Sequence, residues 1–360
     1  MSTQHTFYFF SYVPAIRYHI SQCLLQRGWV EAVNAQSADL GDKHLSLNDK
    51  LAKHVEYKHL LAALVANINP PIMPLTYTIN DENCQQVFAK IIYEHYLVNH
   101  QYQPSVEGVQ WILKPSMLNN GDQIKLFNNI EDIKKYYYTA SRLGGDHVLQ
   151  QYIHQPKLID GKKHTYRLHV VATNYAGVFL YDQGYINLSA LPFSAEDGFA
   201  NRKMHITNYV LDGVLSHIEQ RSTNLLADFP DTYQQMKDIV SKVMKALVKK
   251  EPVFLKPNKT LKFEIFGFDF MKDDSGKLWL LEINQGPDAP TFEENHLNVV
   301  LWERFWQDII DDFAIPVALH NRQKREYAHF NQVLTKSESY SVCRNFIHKL
   351  FNAPVGATLK

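Results

Sequence analysis

The sequence predicts an α+β fold, with strands and helices mixed irregularly and packed as layers rather than as a regular βαβ series. Three observations carry that expectation: an ordinary globular composition, amphipathic helical stretches separated by short apolar runs, and a strong hairpin signal between residues 263 and 284. At 360 residues, 45% of them hydrophobic, the chain is long enough for two or three sizeable cores and needs neither disulfides nor a metal to fold.

The elements follow in order. The apolar run 7–13 reads as a first core strand, because Arg17 interrupts it far short of the roughly 18–20 apolar residues of a membrane span. Ile16, Ile20, Cys23, Leu24 and Leu25 then recur at helical spacing, with Gly28 as the stop. A second helix is expected over 51–65, ending before Pro70, Pro71 and Pro74, which mark a domain boundary. A helix over 82–99, buried strands at 111–115, 148–153 and 165–172, and a helix over 231–250 come next, and the chain is helical again over 299–313. A short amphipathic stretch at 342–350 lies in the tail. The division expected is an N-terminal α/β domain (1–72), a central lobe (73–153), a C-terminal lobe carrying the hairpin (154–320) and a helical tail (321–360).

Charge and cysteine usage narrow the partners. Lys and Arg number 37 against 37 Asp and Glu, which removes the diffuse attraction to nucleic acid and anionic membranes, so neither is expected as a partner. Cys23, Cys84 and Cys343 are odd in number and form no Cys-x-x-Cys pair, which points to a reducing compartment. With no signal peptide or anchor in the sequence, a soluble cytoplasmic protein is expected. Between Lys242 and Lys262 seven lysines face one acid, Glu251; this is either a solvated helix face and loop or a landing site for an acidic macromolecule.

The hairpin sorts its residues by face. With Ser275 and Gly276 as a two-residue loop, Asp269 falls opposite Glu282, and alternation places Asn284 on the same face. Phe266, Phe268, Phe270, Trp279, Leu281 and Ile283 then form a core face, and Gly267 leaves room for a ligand to approach the backbone. Facing carboxylates repel unless something positive lies between them, and magnesium is the natural candidate; the alternative is a polar face turned to solvent. A strand over 163–169 presents Lys163, Thr165 and Arg167 together, to grip a polyphosphate or to sit on a solvated edge. Lys114 ends a buried strand beside the polar loop at 119–122, placed either for a phosphate or to snorkel to water. No Walker A, Rossmann, kinase, H-E-x-x-H or G-x-S-x-G motif is present in the sequence.

Six segments, taken in order, resemble the tubulin tyrosine ligase-like family of ATP-grasp ligases: W-I-L-K-P (111–115), V-L-Q-Q-Y-I (148–153), L-I-D-G-K-K-H-T-Y-R (158–167), H-I-T-N-Y (205–209), F-E-I-F-G-F-D-F (263–270) and W-L-L-E-I-N (279–284). The resemblance implies an ATP-grasp fold, with ATP clamped between the central and C-terminal lobes. It also implies a carboxylate–amine ligation through an acyl phosphate. By position it implies ATP-phosphate contacts for Lys114 and Lys163, adenine contacts for Gln150, Gln151, Tyr152 and Ile153, further nucleotide contacts at Thr165 and Asn208, and stabilisation of the transferring phosphoryl group by Arg167. Asp269, Glu282 and Asn284 would hold Mg2+, with Arg167, Lys163 and Glu282 as the catalytic set. The acceptor implied is a protein, such as the acidic tail of tubulin, and the donor a free amino acid. The loop 119–121 is the candidate lid. Two positions depart from the family pattern: Thr165 replaces an Asp in Lys-Phe-Asp-x-Arg, and Asn187 replaces the Arg of a Gly-x-x-Arg that grips the amino acid's carboxylate, with Arg202 or Lys203 as possible substitutes. A ligase for small molecules or peptides, and a catalytically dead ATP-binding scaffold, are the competing readings.

Overall fold

The computed structural model describes residues 4–10, 15–99, 110–119, 121–139, 142–194, 199, 201–208, 210–211, 214–215, 218–252, 255–256, 259–287, 289–291, 295–323, 326–338 and 341. In chain order the first elements are β1 (Thr6–Tyr8), α1 (Ala15–Gln26), β2 (Val30–Glu31), β3 (Leu40–Gly41), α2 (Asp49–Glu56), α3 (Lys58–Val65), β4 (Thr76–Ile79), α4 (Cys84–Asn99), β5 (Trp111–Pro115), β6 (Lys125–Phe127), α5 (Ile130–Tyr137) and β7 (His147–Gln151). They are followed by β8 (Leu158–Ile159), β9 (Lys162–Thr173), β10 (Gly177–Leu188), β11 (Val210–Leu211), β12 (Val214–Leu215), β13 (Glu219–Ser222), α6 (Phe229–Lys250), β14 (Phe263–Lys272), β15 (Leu278–Gln285), α7 (Glu303–Ile309), α8 (Ile315–Ala318) and β16 (Phe330–Thr335). The expected mixture of strands and helices is present. No helix among the described residues is long and apolar enough to cross a membrane.

The central feature is an antiparallel sheet in the order β13-β10-β9-β14-β15, with β8 paired to β9 and β16 to β10. One face carries Tyr166, Leu168 and Val170 of β9 with Phe266, Phe268 and Phe270 of β14 against α6. In that helix Met236, Ile239, Val240, Val243, Met244, Leu247 and Val248 fall on one stripe, Asp231 sits in the first turn and Lys249 and Lys250 in the last, as the helix dipole favours. The other face packs Val171, Phe179, Tyr181 and Phe263 against Trp302, Phe305 and Phe313 of the helical run at 298–318. A second antiparallel sheet, β4-β7-β5-β6, packs against α4 and α5 around Phe88, Trp111 and Tyr137. The N-terminal residues form a small parallel sheet, β2-β1-β3, with α1.

Several expected elements differ in detail. The helix expected over 51–65 is two helices broken at Tyr57, which has extended backbone. Both pack into the core of the large sheet, with Val55, Leu61 and Val65 beside Phe268 and Met244, so residues 47–73 join that sheet rather than the N-terminal unit. The tail expected to be helical contributes β16, whose Phe330 and Leu334 are buried. Residues 11–13 of the first strand, Cys343 and the stretch 342–350 lie outside the described residues. The long strand β10 went unrecognised in the sequence because Asp182, Gln183 and Gly184 interrupt its apolar run; the register shifts there, between Leu180 and Gly184.

The large sheet owes its cohesion to the aromatic face of β14. Phe268→Ala is expected to cost about 3–5 kcal/mol through lost transfer energy and the cavity left behind, read as a lowered midpoint in urea denaturation.

Candidate active site

β9 has neighbours on both sides, and its alternation builds the site. Tyr166, Leu168 and Val170 enter the core, so Lys163, Thr165 and Arg167 must face the other way. That face is not a solvated edge. It lines a cavity of about 900 Å³ between the two larger sheets, together with Lys114 of β5, Gln150 and Gln151 of β7, and Tyr152 and Ile153 just beyond it. Thr207, Asn208, Asp269 and Glu282 complete this part of the lining. Of the residues expected to hold nucleotide or metal, Asn284 alone does not line the cavity; it is half-buried, its Nδ2 3.4 Å from Asp269 Oδ2.

Asp269 lies directly opposite Arg167 across β14 and β9, and opposite Glu282 across β14 and β15. Arg167 grips Asp269 with Nε and Nη2, the latter 2.7 Å from Oδ2, a bidentate and charge-assisted contact. Burial works against the Arg167 charge, but Asp269, Tyr185 and Glu282 outweigh it and hold the guanidinium firmly ionised. Burial pushes the Asp269 carboxyl up, Arg167 opposes that, and the Glu282 charge adds to it. Burial would raise Glu282 as well; Lys58, Lys114 and Arg167 overcome it and keep Glu282 low.

The hairpin reaches this pairing by an unexpected route. Its loop is one residue longer than expected, pairing Lys272 with Leu278 and Phe270 with Leu280, and a bulge between Asp269 and Phe270 then restores the register. As a consequence Leu278 and Leu280 take the core face, while Trp279 turns its Nε1 to Asp273 and Leu281 joins the cavity lining. Such bulges re-aim side chains beside functional sites. Gly267 does not open onto a ligand: a Cβ there would come within 3.0 Å of Arg167 Cδ, so the glycine makes room for the arginine itself.

The two lysines of the cavity have no carboxylate within ion-pair distance among the described residues. Lys114, on the four-stranded sheet, donates to Gln150 Oε1 at 2.9 Å, and Gln150 donates to Thr76 Oγ1. It is 7% exposed, so it does not reach water as a strand-end lysine commonly does. Burial lowers its pKa to about 8, against the pull of Glu282. Lys163 donates to Tyr152 Oη at 2.9 Å and lies 4.0 Å from the centre of that ring, and Tyr152 Oη meets His205 Nδ1 at 2.9 Å. Burial, with Lys114 adding to it, lowers Lys163 to about 7. Thr165 shares a 2.9 Å hydroxyl contact with Thr207.

Some of the site had no signal in the sequence. Lys58, at the start of α3, comes from the region that the motifs do not cover, yet its Nζ lies 3.4 Å from Glu282 Oε2 and 2.8 Å from the Leu118 carbonyl. Tyr185, Gln220 and His296 also line the cavity, as does His205 from the 205–209 segment, which bonds Tyr152. Arg202 turns instead to the Gly121 carbonyl, at 3.1 Å, and Lys203 does not reach the cavity lining. Gly121 and Asn119 belong to a turn at the cavity's edge beside Asn208; Asn120 lies outside the described residues.

Asp269, Glu282 and Asn284 offer hard oxygen donors of the kind magnesium takes; the two carboxyl groups meet each other directly, with Arg167 on Asp269 and Lys58 on Glu282. Among the described residues no group of three or more His, Cys, Asp or Glu side chains is gathered to hold a metal. Asp269 and Glu282, with Asn284 beside Asp269, are the residues that would hold such an ion.

A buried lysine without a counter-charge costs stability. The unfolded chain keeps the Lys163 proton up to about pH 10, while the folded protein releases it near 7, so stability rises with pH across that window. Lys163→Met is expected to raise stability at pH 7 by about 1–2 kcal/mol, measured by urea denaturation, and to flatten that pH dependence.

The model of the tubulin-tyrosine ligase family matches residues 69–323, more than half of the chain. A probable tubulin polyglutamylase of Caenorhabditis elegans is 22% identical over 272 residues, covering 71% of this chain and 64% of the relative. A tubulin polyglutamylase of Homo sapiens is 28% identical over 53% of this chain and 23% of its own length, and a probable tubulin–tyrosine ligase of Schizosaccharomyces pombe is 25% identical over 59% and 60%. The chain thus spans less than two thirds of each of these relatives. With a match of that extent, containing every residue of the cavity's charged cluster except Lys58, the chain belongs to the tubulin-tyrosine ligase family.

Proposed function

We propose that the protein is an ATP- and Mg2+-dependent carboxylate–amine ligase that adds an amino acid to a protein acceptor. The observation that carries the reading is the pair of buried lysines without carboxylate partners, Lys114 and Lys163, sharing one cavity with the Arg167–Asp269–Glu282 cluster. Cations left uncompensated in a cavity suit a polyanion, and a triphosphate is the polyanion that also uses a neighbouring carboxylate pair.

In this reading the segment 150–153 and Asn208 hold the nucleoside, Thr165 and Thr207 supply hydroxyls near it, and Lys114 and Lys163 neutralise the phosphates. Asp269, Glu282 and Asn284 would hold Mg2+, which supplies charge neutralisation at the phosphate oxygens. An acceptor carboxylate oxygen attacks the γ-phosphorus and ADP leaves; the amine then attacks the acyl carbon and phosphate leaves. Arg167 stabilises charge on the transferring group, and no side-chain nucleophile is required. Exclusion of water protects the acyl phosphate, and Asn119 and Gly121, at the cavity's edge, are the candidate lid. The acceptor proposed is a protein tail of acidic character, such as tubulin's, and the setting is the cytoplasm. The names of the relatives support a tubulin-like acceptor.

Incubation with ATP, Mg2+, labelled amino acids and cell lysate is expected to label a protein band, with incorporation reduced at least ~100-fold in E282Q. Labelling equal to that of E282Q would defeat the protein-ligase reading, and ATP turnover unaffected by K163A would defeat the nucleotide assignment. Because a triphosphate raises the Lys163 pKa, nucleotide binding is expected to take up a proton above about pH 7 and to weaken as pH rises, measured by calorimetry in buffers of different ionisation enthalpy.

A further inference from the structure

Residues 1–68 lie outside the matched family segment, yet one of their helices supports the cavity wall. In α1, Ile16, His19 and Ile20 follow at the three- and four-residue spacing of one helix face. The chain that leaves β15 at Gln285 passes that face. Gly286 has a φ of +82°, and a Cβ there would come within 2.7 Å of Ile16 Cδ1, so the glycine admits the helix as well as the turn. Three residues on, Ala289 is buried in the same core as Ile20, Trp302 and Trp306, and both Ala289 and Pro290 line the cavity.

His19 ties this loop from outside. Its Nε2 lies 2.8 Å from the Pro290 carbonyl oxygen, and a carbonyl can only accept, so Nε2 carries the hydrogen. The imidazole lies flat on Trp306 of α7, with centroids 4.8 Å apart and planes 13° from parallel, and Tyr18 meets it edge-on. Stacking fixes the plane of the ring and with it the direction of the N–H. Burial holds the His19 pKa below its usual value, so at neutral pH the contact is a neutral hydrogen bond and not an ion pair. Further along, Asn295 and His296 continue the lining, and His296 reaches the Gln220 carbonyl at 2.8 Å. Ala289, Pro290, Asn295 and His296 therefore border the cavity between the end of β15 and β13, and none of them belongs to the nucleotide or metal set.

We propose that His19 is a positioning residue for the reaction: by anchoring the Pro290 carbonyl it fixes the stretch of wall that the substrates other than the nucleotide meet, and it makes α1 a working part of the site. The inference rests on the ligase reading and adds to it a residue from outside the family segment. His19 acts through the loop and touches no substrate, so its loss is felt as weaker binding at that wall. A neutral hydrogen bond sets the size of the effect at about 3- to 10-fold.

The test compares three variants of the full chain with the unaltered protein. H19F keeps a ring against Trp306 without a donor, H19N offers an amide that falls short of the Nε2 position, and H19Q places an amide N–H close to it. In the labelling assay with ATP, Mg2+, labelled amino acid and lysate, H19F and H19N are expected to raise the half-saturating amount of amino acid or of acceptor about 3- to 10-fold, with KM for ATP unchanged and the loss recovered in H19Q. Amide hydrogen exchange at 286–291 is expected to quicken in the first two variants and to return in H19Q, with exchange in β14 unaltered. A purely structural role would instead lower the urea midpoint and move the ATP constant as well. Absence of labelling by the unaltered protein would defeat the ligase reading and this proposal with it. Labelling with unchanged constants in both H19F and H19N, a change shared by ATP, or failure of H19Q to restore them would overturn this proposal alone.

Discussion

The structure depends on one contact, the pairing of Arg167 with Asp269 across adjacent strands in the middle of a sheet. Two charges in such a place are tolerated only together, because removing either strands the other in a poorly solvated environment at a cost of several kcal/mol. The pair accordingly fixes the register of β9 against β14, and with it the face on which Lys163 and Thr165 emerge. It also explains two local features, since Gly267 provides room for the arginine stem and the bulge in β15 returns Glu282 to a position opposite Asp269.

Around that contact the cavity is built as an unbalanced set of charges. Lys58, Lys114, Lys163 and Arg167 outnumber Asp269 and Glu282, and burial leaves Lys114 and Lys163 without the compensation that surface lysines obtain from water. An arrangement of this kind lowers the stability of the folded chain and raises its affinity for a polyanion, the trade that functional sites commonly make. The same cavity continues along β10 and β13, where Asn187 and Gln220 are bonded to each other.

Much of the site was legible because it is encoded by alternation. Lys163, Thr165 and Arg167 share a face in any extended conformation, and Asp269 with Glu282 follows from a hairpin count. That count succeeded through two offsetting departures, a longer loop and a bulge, which is why the same count misplaced Trp279 and Leu281. Period-two patterns state which residues share a face, but they do not record where a strand gains a residue. Lys58 and Gln220 left no such trace, since each reaches the cavity from an element whose partner lies far away in the sequence.

By itself the sequence determined the α+β class, the position of most helices and strands, and the identity of the charged groups, because local periodicity and turn chemistry are properties of neighbouring residues. Only the tertiary structure decided that the cationic row of β9 lies inside the sheet rather than on an edge, that Arg167 meets Asp269 while Lys58 meets Glu282, and that Asn187 faces Gln220. Those outcomes turn on which strands become neighbours and on how much water remains between them. Burial and electrostatics are set by the whole packed molecule, so no stretch of chain carries them alone.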